Sequence, residues 1–257
     1  MNNNIVDSFS DNETLAYGML TERYKNAYGE NIKAQVEILL SLDGFIDRFN
    51  YLCTVLGSNL EAHLPSIMVS GYSAGSEMIV ARNFGFQKVY GVEIDKSLYE
   101  IAKIRLKQYS DVFPTVYDGL YLPYDDQQFN LVASGHIIEH TQSPMIYLRE
   151  TFRVLKPGGI LYIEFPSRYH HIELHTGLIS FEWLPSRLRN LMLRILSSQY
   201  SHLKPQIKSR YRDVLFTLKQ ISRRDIFNML SHLKVEYREI AHSKPAAGIV
   251  RCIIEKK

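Results

Sequence analysis

A short apolar run that ends in a loop of small residues constrains this chain more than any other feature. The run Ile67–Val69 stops at Gly71, Gly75 follows four residues later, and a helical pattern begins at Ser76. This order predicts a strand, a tight loop and a helix. Glycines let such a loop press bare backbone N–H groups against a ligand, and the helix N-terminus favours negative charge.

An acidic residue follows at the distance that nucleoside-binding folds use. Glu93 lies at the end of the next apolar run, Lys88–Ile94. In such folds, an acid about 20 residues beyond the glycine loop binds the hydroxyl groups of a ribose. The two features together predict a ligand that contains adenosine.

Strand and helix patterns alternate from residue 66 onward. The predicted strands are Ile67–Ser70, Lys88–Ile94, Thr115–Tyr117, Phe129–Ser134, Ile160–Phe165, Val235–Ile240 and Ile249–Glu255. The predicted helices are Ser76–Phe84, Ser97–Gln108, Pro144–Leu155 and Arg223–Leu233. We predict a turn at Lys156–Gly159 and antiparallel pairing of the last two strands. The expected fold is α/β and Rossmann-like, with a doubly wound, mostly parallel seven-stranded sheet and an antiparallel last strand.

Two segments lack strands. Residues 1–62 are expected to form a helical cap, and 63–257 the nucleotide-binding domain, in which 167–221 is a basic helical lid inserted after strand five. The N-terminus has no signal-peptide pattern, and no apolar run reaches the length of a membrane span. Two distant cysteines, Cys53 and Cys252, fit a reducing compartment. We therefore expect a cytoplasmic protein.

A series of motifs, taken in order, resembles those of the class I S-adenosylmethionine (SAM)-dependent methyltransferases. After the glycine loop and Glu93 come Asp118-Gly119, the segment Leu122–Ser134, the segment Ile137–His140, and a run that contains RVLKPGG before Ile160. The resemblance covers about residues 64–166 and 220–257. It is closest to the small-molecule branch of that family.

The resemblance implies a SAM site and direct in-line methyl transfer. Glycine-loop residues would pack under the methionine moiety, Glu93 would bind both ribose hydroxyls, Ile94 would cover adenine, and Asp118 would accept from the adenine amino group. The residues implied for the cofactor are Gly71, Tyr72, Ser73, Ala74, Gly75, Glu93, Ile94, Asp118, Gly119, Leu120, Ser134, Gly135 and His136. Alignment and exclusion of water carry most of such catalysis. A base is needed only for some acceptors, and His140 and His136 are the candidates.

Three positions depart from the family pattern. Val69 stands where an acid is usual, Ser73 replaces the middle glycine, and Asn130 replaces an aspartate. The missing charge at Val69 weakens the expected hold on the methionine amine. A non-catalytic SAM-fold binding protein therefore stays open as an alternative.

The same loop also matches the G-x-S-x-G nucleophile elbow of α/β-hydrolases. In that interpretation Ser73 is the nucleophile, with Asp213 or Asp225 and then His242 as partners. It leaves Glu93 and Asp118 without roles. An NAD site is disfavoured, because two of the three fingerprint glycines are missing.

The insertion is expected to cover the ligand crevice, because it leaves the end of strand five. Residues 168–224 hold eleven Lys/Arg against three Asp/Glu, which favours an anionic acceptor or a solvated basic face. The candidate substrate contacts are Arg168, His170, His171, Glu173, His175 and Trp183. If this segment is a helix, His171 and His175 lie one turn apart and could bind a metal ion together. We nevertheless predict no metal. Residues 184–196 fit a lid helix or a membrane-surface helix.

The expected function is methyl transfer from SAM to a small, possibly anionic acceptor such as a saccharide, a lipid precursor or a secondary metabolite. The amino-methylation motif (N/D)PP(Y/F) is absent after strand four, where the chain reads Ser134-Gly-His-Ile137. No nucleic-acid-binding appendage is visible, so no nucleic-acid partner is expected. The sequence leaves the oligomeric state open.

Overall fold

A computed structural model describes residues 10–28, 31–167, 188, 219, 221–243 and 248–257 of the chain. The described helices are α1 (Asp11–Tyr28), α2 (Ile32–Leu40), α3 (Asp43–Leu56), α4 (Ser76–Asn83), α5 (Lys96–Arg105), α6 (Pro144–Val154) and α7 (Arg223–His232). Short 3-10 helices span Gly57–His63 and Ile138–His140. Helical residues therefore precede the first strand, as the sequence predicts.

The strands form a single seven-stranded sheet. They are β1 (Ile67–Ser70), β2 (Val89–Glu93), β3 (Val112–Val116), β4 (Phe129–Gly135), β5 (Leu155–Pro166), β6 (Tyr237–Ser243) and β7 (Ile249–Lys256). Their order is β3-β2-β1-β4-β5-β7-β6. Strand β7 is antiparallel to both β5 and β6, whereas β1 to β5 pair in parallel. The predicted Rossmann-like fold, with its antiparallel last strand, is confirmed.

Two helices start at residues whose side chains cap the first turn. The Ser143 side chain accepts from the backbone N–H of Ile146, and Pro144 occupies the first turn of α6. At α7, Ser222 and Asp225 form a reciprocal capping box. Side-chain oxygens thus satisfy N–H groups that the first helical turn leaves without partners.

The predicted turn at Lys156–Gly159 is wrong, because these residues belong to β5. Leu155 pairs with Phe129 and Ile160 with Leu131, so the register shifts and the extra residues bulge out of the ladder. Gly158 supports the bulge with a φ of +75°, a left-handed conformation that glycine adopts without strain. Strand β5 consequently begins directly after α6.

The sheet is buried on both faces, as expected for parallel strands. One core cluster joins α3, α4 and α5 to the sheet through residues such as Phe49, Met78 and Ala102. A second cluster joins α6 and α7 to the opposite face through residues such as Leu148 and Ile226. Helix α3 therefore shares a core with β1 and α4, although the sequence places it in the cap.

Helices α1 and α2 have a smaller core of their own. Ala16, Leu20, Val36 and Leu40 pack with Ala74, Leu98 and Ile101, and Tyr17 and Tyr24 border this cluster. The N-terminal helices thus rest on α5 and on the loop after β1. Within the described part of the chain, no helix combines the length and apolar character that a membrane crossing needs.

Candidate functional site

A cavity of about 220 Å³ lies where β1 to β4 end. Its lining consists of Gly71, Val92, Glu93, Ile94, Tyr117, Asp118, Gly119, Ile137, His140, Thr141 and Gln142. Ligands in open α/β sheets bind at this carboxyl edge. Six residues that the sequence predicts for the site are therefore brought together: Gly71, Glu93, Ile94, Asp118, Gly119 and His140.

The Glu93 carboxylate is held in place by backbone N–H groups. Its Oε1 accepts from Ile94 at 2.8 Å and from Asp95 at 3.1 Å, and Oε2 accepts from Ser73 at 3.0 Å. A carboxylate has about four acceptor positions, so Oε2 keeps capacity for a further donor. Glu93 thus links the glycine loop to the end of β2 and presents an acceptor at the cavity wall.

Asp118 is fixed in a similar way at the end of β3. Its Oδ1 accepts from the backbone N–H groups of Leu120 at 2.8 Å and Tyr121 at 2.9 Å. The N–H groups of Tyr121 and Leu120 lower the pKa of Asp118, so the side chain is a carboxylate at neutral pH. Because both bonds end on Oδ1, Oδ2 is available as an acceptor.

An exposed apolar side chain lies between these two carboxylates in the cavity lining. Ile94 is 63% exposed, which is unusual for isoleucine and gives the cavity an apolar wall. Gly119 has a φ of +82°, and a Cβ placed there would lie 3.4 Å from Ile94 Cγ2. An apolar surface beside an acceptor suits a flat heteroaromatic ring with an amino group.

A buried arginine stabilises the glycine loop through hydrogen bonds. Arg105 donates to the Ser76 hydroxyl at 2.6 Å, to the Ala74 carbonyl at 3.2 Å and to the Leu40 carbonyl at 2.7 Å. A Cβ at Gly75 would lie 3.0 Å from Leu106, so this glycine allows packing against the end of α5. Tyr72, Ser73, Ala74 and Gly75 therefore support the cavity from outside its lining.

Gly71 faces the segment that follows β4. Its φ is +70°, and a Cβ there would collide with the Ile137 side chain. The loop after β1 and the segment Ile137–Gln142 thus meet directly across the cavity. Glycine suits this position, because it adopts the left-handed conformation without strain and leaves room for the Ile137 side chain.

Two predicted residues at the end of β4 are placed otherwise than expected. Ser134 is fully buried, and its Oγ accepts from the Tyr147 hydroxyl at 2.7 Å. The space over Gly135 is filled by the Arg48 guanidinium, which any Cβ would strike. Ser134, Gly135, His136 and Leu120 do not line the cavity.

His136 is an ion-pair partner, and the structure argues against its predicted role as a base. Its Nε2 is 3.0 Å from Glu164 Oε1, and its Nδ1 is 3.6 Å from Glu139 Oε1. Burial opposes the charged ring, but hydrogen bonds to Glu139 and Glu164 raise the pKa of His136 to about 9. An imidazolium at neutral pH cannot accept a proton. His140, which lines the cavity, remains the candidate base.

A buried ion-pair network adjoins the cavity, and the sequence does not predict it. Arg48 donates to Glu77 at 2.6 Å and to Glu164 at 3.1 Å. Glu164 also accepts from Tyr162 and from Arg251, each at 2.6 Å. A single arginine or glutamate in an amphipathic pattern looks solvent-exposed, so no local signal reveals such a network.

The hydrolase interpretation finds no support in this geometry. Ser73 has a φ of +51°, as a strained elbow would, but its nominated histidine lies elsewhere. His242 is on edge strand β6, four strands from β1, and at about 4.8 Å per strand the separation is roughly 19 Å. Asp225 serves the α7 capping box. Asp213 lies outside the described residues.

The predicted substrate contacts cannot be placed. Arg168, His170, His171, Glu173, His175 and Trp183 lie outside the described residues, as does nearly all of the insertion 167–221. In the described ranges, no three His, Cys, Asp or Glu side chains cluster as metal ligands would.

The cavity has the hydrogen-bond acceptors and the apolar surface that SAM requires. The carboxylates of Glu93 and Asp118 line the cavity together with the exposed Ile94. Gly71 has no side chain, so the backbone of the loop after β1 forms part of the cavity wall. Adenosine offers ribose hydroxyls, an aromatic face and an amino group, and each has a counterpart in this set. The residues present therefore fit the cofactor.

Comparison with known families supports the same assignment. Residues 69–163 match the family model described as a methyltransferase domain. The chain is 31% identical over 115 residues to the ubiquinone/menaquinone biosynthesis C-methyltransferase UbiE of Neisseria meningitidis, covering 44% of this chain and 47% of that protein. It is 35% identical over 74 residues to the demethylmenaquinone methyltransferase of Lactococcus lactis, covering 28% and 29%. The chain thus spans at most about half the length of these curated relatives.

Solved structures share the fold. A SAM-dependent methyltransferase from Mesorhizobium loti matches with a TM-score of 0.54 at 12% identity, covering 79% of this chain and 98% of that chain. One from Aquifex aeolicus matches with a TM-score of 0.51 at 12% identity, covering 92% and 98%. At this identity the likeness shows the fold alone.

Proposed function

We propose that this chain transfers a methyl group from SAM to a small-molecule acceptor, since residues 69–163 match a methyltransferase domain. One observation carries the proposal. Glu93 and Asp118, each fixed by backbone N–H groups, flank an isoleucine that is 63% exposed at the carboxyl edge of the sheet. This set matches the chemistry of adenosine.

The chain's own residues would hold the cofactor in separate ways. Glu93 Oε2 would accept from a ribose hydroxyl, Asp118 Oδ2 from the adenine amino group, and Ile94 would cover the ring. SAM supplies an electrophilic methyl group on a sulfonium. The protein's part is to orient the acceptor beside Gly71 and to exclude water, which accounts for much of the rate in such transfers.

His140 is the residue proposed to take a proton where the acceptor must lose one. It is exposed and lines the cavity with Thr141 and Gln142. His136 is unsuited to this role, because two carboxylates hold its ring protonated. An acceptor that enters as an anion would need no base.

A quinone ring is a specific second candidate for the acceptor. The curated relatives reported above are named as quinone C-methyltransferases. Those names make the quinone the first acceptor to test. Because the matches cover less than half of this chain and acceptor contacts usually come from variable loops, other acceptors have to be tested beside it.

Calorimetric titration with SAM and with S-adenosylhomocysteine tests the cofactor. We expect Glu93→Ala to weaken binding about 10- to 100-fold, as the loss of hydrogen bonds to a charged group does. Glu100→Ala removes an exposed carboxylate from α5, outside the cavity, and should leave binding unchanged. A folded wild-type protein that binds neither ligand would rule out the proposal.

Methyl transfer from radiolabelled SAM tests the acceptor. Reduced demethylmenaquinone is the probe for ring methylation, and a panel of anionic small molecules is the comparison. Label on the quinone ring would support the second candidate. Label on another acceptor alone would reject the quinone and keep the broader proposal.

A further inference from the structure

The glycine loop is hydrogen-bonded to a helix that lies outside the cavity. Ser76, the first residue of α4, is 2% exposed, and its hydroxyl donates to the Leu39 carbonyl of α2 at 2.9 Å. The N-cap of α4 is Gly75, and no side chain caps that helix. The Ser76 hydroxyl therefore binds the last turn of α2 and not the first turn of its own helix.

Arg105, the last residue of α5, binds the same two segments at once. Its Nη1 donates to the Ala74 carbonyl at 3.2 Å and to the Ser76 hydroxyl at 2.6 Å, and its Nη2 donates to the Leu40 carbonyl at 2.7 Å. The guanidinium thus holds the glycine loop with one nitrogen and α2 with the other. The last carbonyls of a helix have no partner within it, and a cation is favoured at that end of the helix dipole.

The charge of Arg105 is only partly compensated. The side chain is 1% exposed, and its ion pair with Glu13 of α1 spans 3.7 Å, which is too long for a hydrogen bond. Burial lowers the pKa of Arg105, and the charge of Glu13 raises it. An apolar side chain of similar volume often packs at least as well as a buried charge. Packing alone therefore does not account for an arginine at this position.

The glycine loop connects Arg105 to the cavity. Ala74, whose carbonyl accepts from Arg105, directly follows Ser73, and the Ser73 N–H donates to Glu93 Oε2 at 3.0 Å. A shift of the Ala74 carbonyl would therefore move the N–H group that holds the Glu93 carboxylate. Among the described residues that line the cavity, none belongs to α1 or α2. An effect of these two helices on the ligand would thus be indirect.

We infer that Arg105 is a positioning residue for the cofactor, which couples the docking of α1 and α2 to the position of the glycine loop. This rests on the proposed function. Arg105 lies outside the cavity lining and acts through Ala74 and Ser76. Coupling between two sites is reciprocal. If docked helices raise the affinity for the cofactor, bound cofactor stabilises the docking of the helices by the same factor.

Calorimetric titration with S-adenosylhomocysteine measures the effect on affinity. Arg105→Met fills much of the same space but donates no hydrogen bond to the loop or to α2. We expect it to weaken binding at least about fivefold, the lower end of the usual coupling between distinct sites. Ser76→Ala keeps Arg105 and removes only the hydroxyl between Arg105 and the Leu39 carbonyl, so it should act in the same direction more weakly.

Lys256→Met is the matched control. Lys256 is also a partly buried cation that bonds two backbone carbonyls where a helix ends, those of Phe152 and Leu155, at 2.6 Å each. These carbonyls lie where α6 ends and β5 begins, at the edge of the sheet opposite the cavity. The control should therefore keep the wild-type affinity for S-adenosylhomocysteine.

Amide hydrogen exchange separates positioning from a purely structural role. In wild-type protein, saturating S-adenosylhomocysteine should slow exchange in α1 and α2, because bound ligand stabilises their docking. In Arg105→Met, at ligand concentrations that again saturate the protein, this slowing should be lost. An arginine that only stabilised the fold would change exchange equally with and without ligand, so that the difference between the two states would stay as in wild-type protein.

The outcomes are distinguishable. A folded Arg105→Met variant with wild-type affinity overturns the inference and leaves the proposed function intact. An equal loss of affinity in Lys256→Met, or ligand that leaves exchange in α1 and α2 of wild-type protein unchanged, also overturns the inference alone. Wild-type protein that does not bind S-adenosylhomocysteine overturns the proposed function itself. If Arg105→Met does not fold, as a thermal melt would show, Ser76→Ala decides by the same two measurements.

Discussion

Arg48 of α3 and Glu164 of β5 form an ion pair of 3.1 Å in which both side chains are at least 94% buried. The pair joins an N-terminal helix to the centre of the sheet. Burial opposes ionisation, but His136, Arg48, Tyr162 and Arg251 together lower the pKa of Glu164 far below its usual range. The carboxylate is therefore ionised at neutral pH.

Replacing Arg48 should destabilise the protein strongly. Arg48→Met would leave Glu77 and Glu164 buried without this cation, and breaking a buried pair in this way costs about 3–5 kcal/mol. The free energy of unfolding in urea measures the effect. Arg82→Met is the control, because Arg82 pairs with Asp111 on a half-exposed surface, where such pairs contribute about 0–1 kcal/mol. Equal losses in the two variants would contradict a structural role for the buried pair.

His136 should make stability depend on pH between neutral and alkaline conditions. Its pKa is about 9 in the folded protein and about 6.5 when unfolded. Because the folded value is the higher one, the stabilisation is fully present below about pH 6.5 and is lost as pH rises through about 9. The ring is one-third exposed, so solvent screening limits the loss to about 1–2 kcal/mol.

Urea unfolding at pH 6, 7.5 and 9 measures this dependence. Wild-type protein should lose stability across the series, and His136→Gln should start less stable and lose less. His232→Gln is the control, because His232 is exposed and its ring bonds to the Asn228 carbonyl within α7. Parallel pH profiles for wild-type protein and His136→Gln would contradict the ion-pair assignment.

The sequence predicts the fold and several residues that line the cavity, because both depend on local patterns. Glu93 and Asp118 each follow a strand, and Gly71 ends one, so parallel pairing brings them to one edge. The capping residues Ser143 and Ser222 likewise act within a single turn of their helices. Short-range chemistry of this kind is visible in the chain itself.

The buried charges are not predictable in this way, because their partners lie far apart in sequence. Arg48 and Glu164 are separated by 116 positions. The surroundings of His136 and Gly135 depend on those partners, so no local pattern reveals that an ion pair and the Arg48 guanidinium lie there. The bulge at Gly158 was missed for a related reason, since its register depends on pairing with β4.

Gly71→Ala should abolish ligand binding beyond what backbone strain explains. A φ of +70° costs any L-residue about 1 kcal/mol, and the new methyl group would also collide with Ile137 and close the cavity. Gly158→Ala is a matched control with a φ of +75° and nothing within 4 Å of the added Cβ. Both variants should lose similar stability from strain, and only Gly71→Ala should also lose S-adenosylhomocysteine binding by calorimetry. Binding retained in Gly71→Ala would place the ligand elsewhere.

Ile94→Ser should weaken binding of every adenosine ligand and leave stability unchanged. The side chain is already 63% exposed, so its removal takes little apolar area out of the folded core. Covering it with an adenine ring would bury that area, and at about 25 cal/mol per Å² the loss is roughly 1–1.5 kcal/mol, or about tenfold in affinity. Ile38→Ser is the matched control, since Ile38 on α2 is 64% exposed and lies outside the cavity lining. Because Ile94 is assigned to the ring, Ile94→Ser should weaken S-adenosylhomocysteine and 5′-methylthioadenosine, which lacks the amino-acid end, by the same factor. A loss confined to the ligand with the amino-acid end would mean that Ile94 contacts the methionine moiety, and the orientation proposed for the cofactor would have to be reversed.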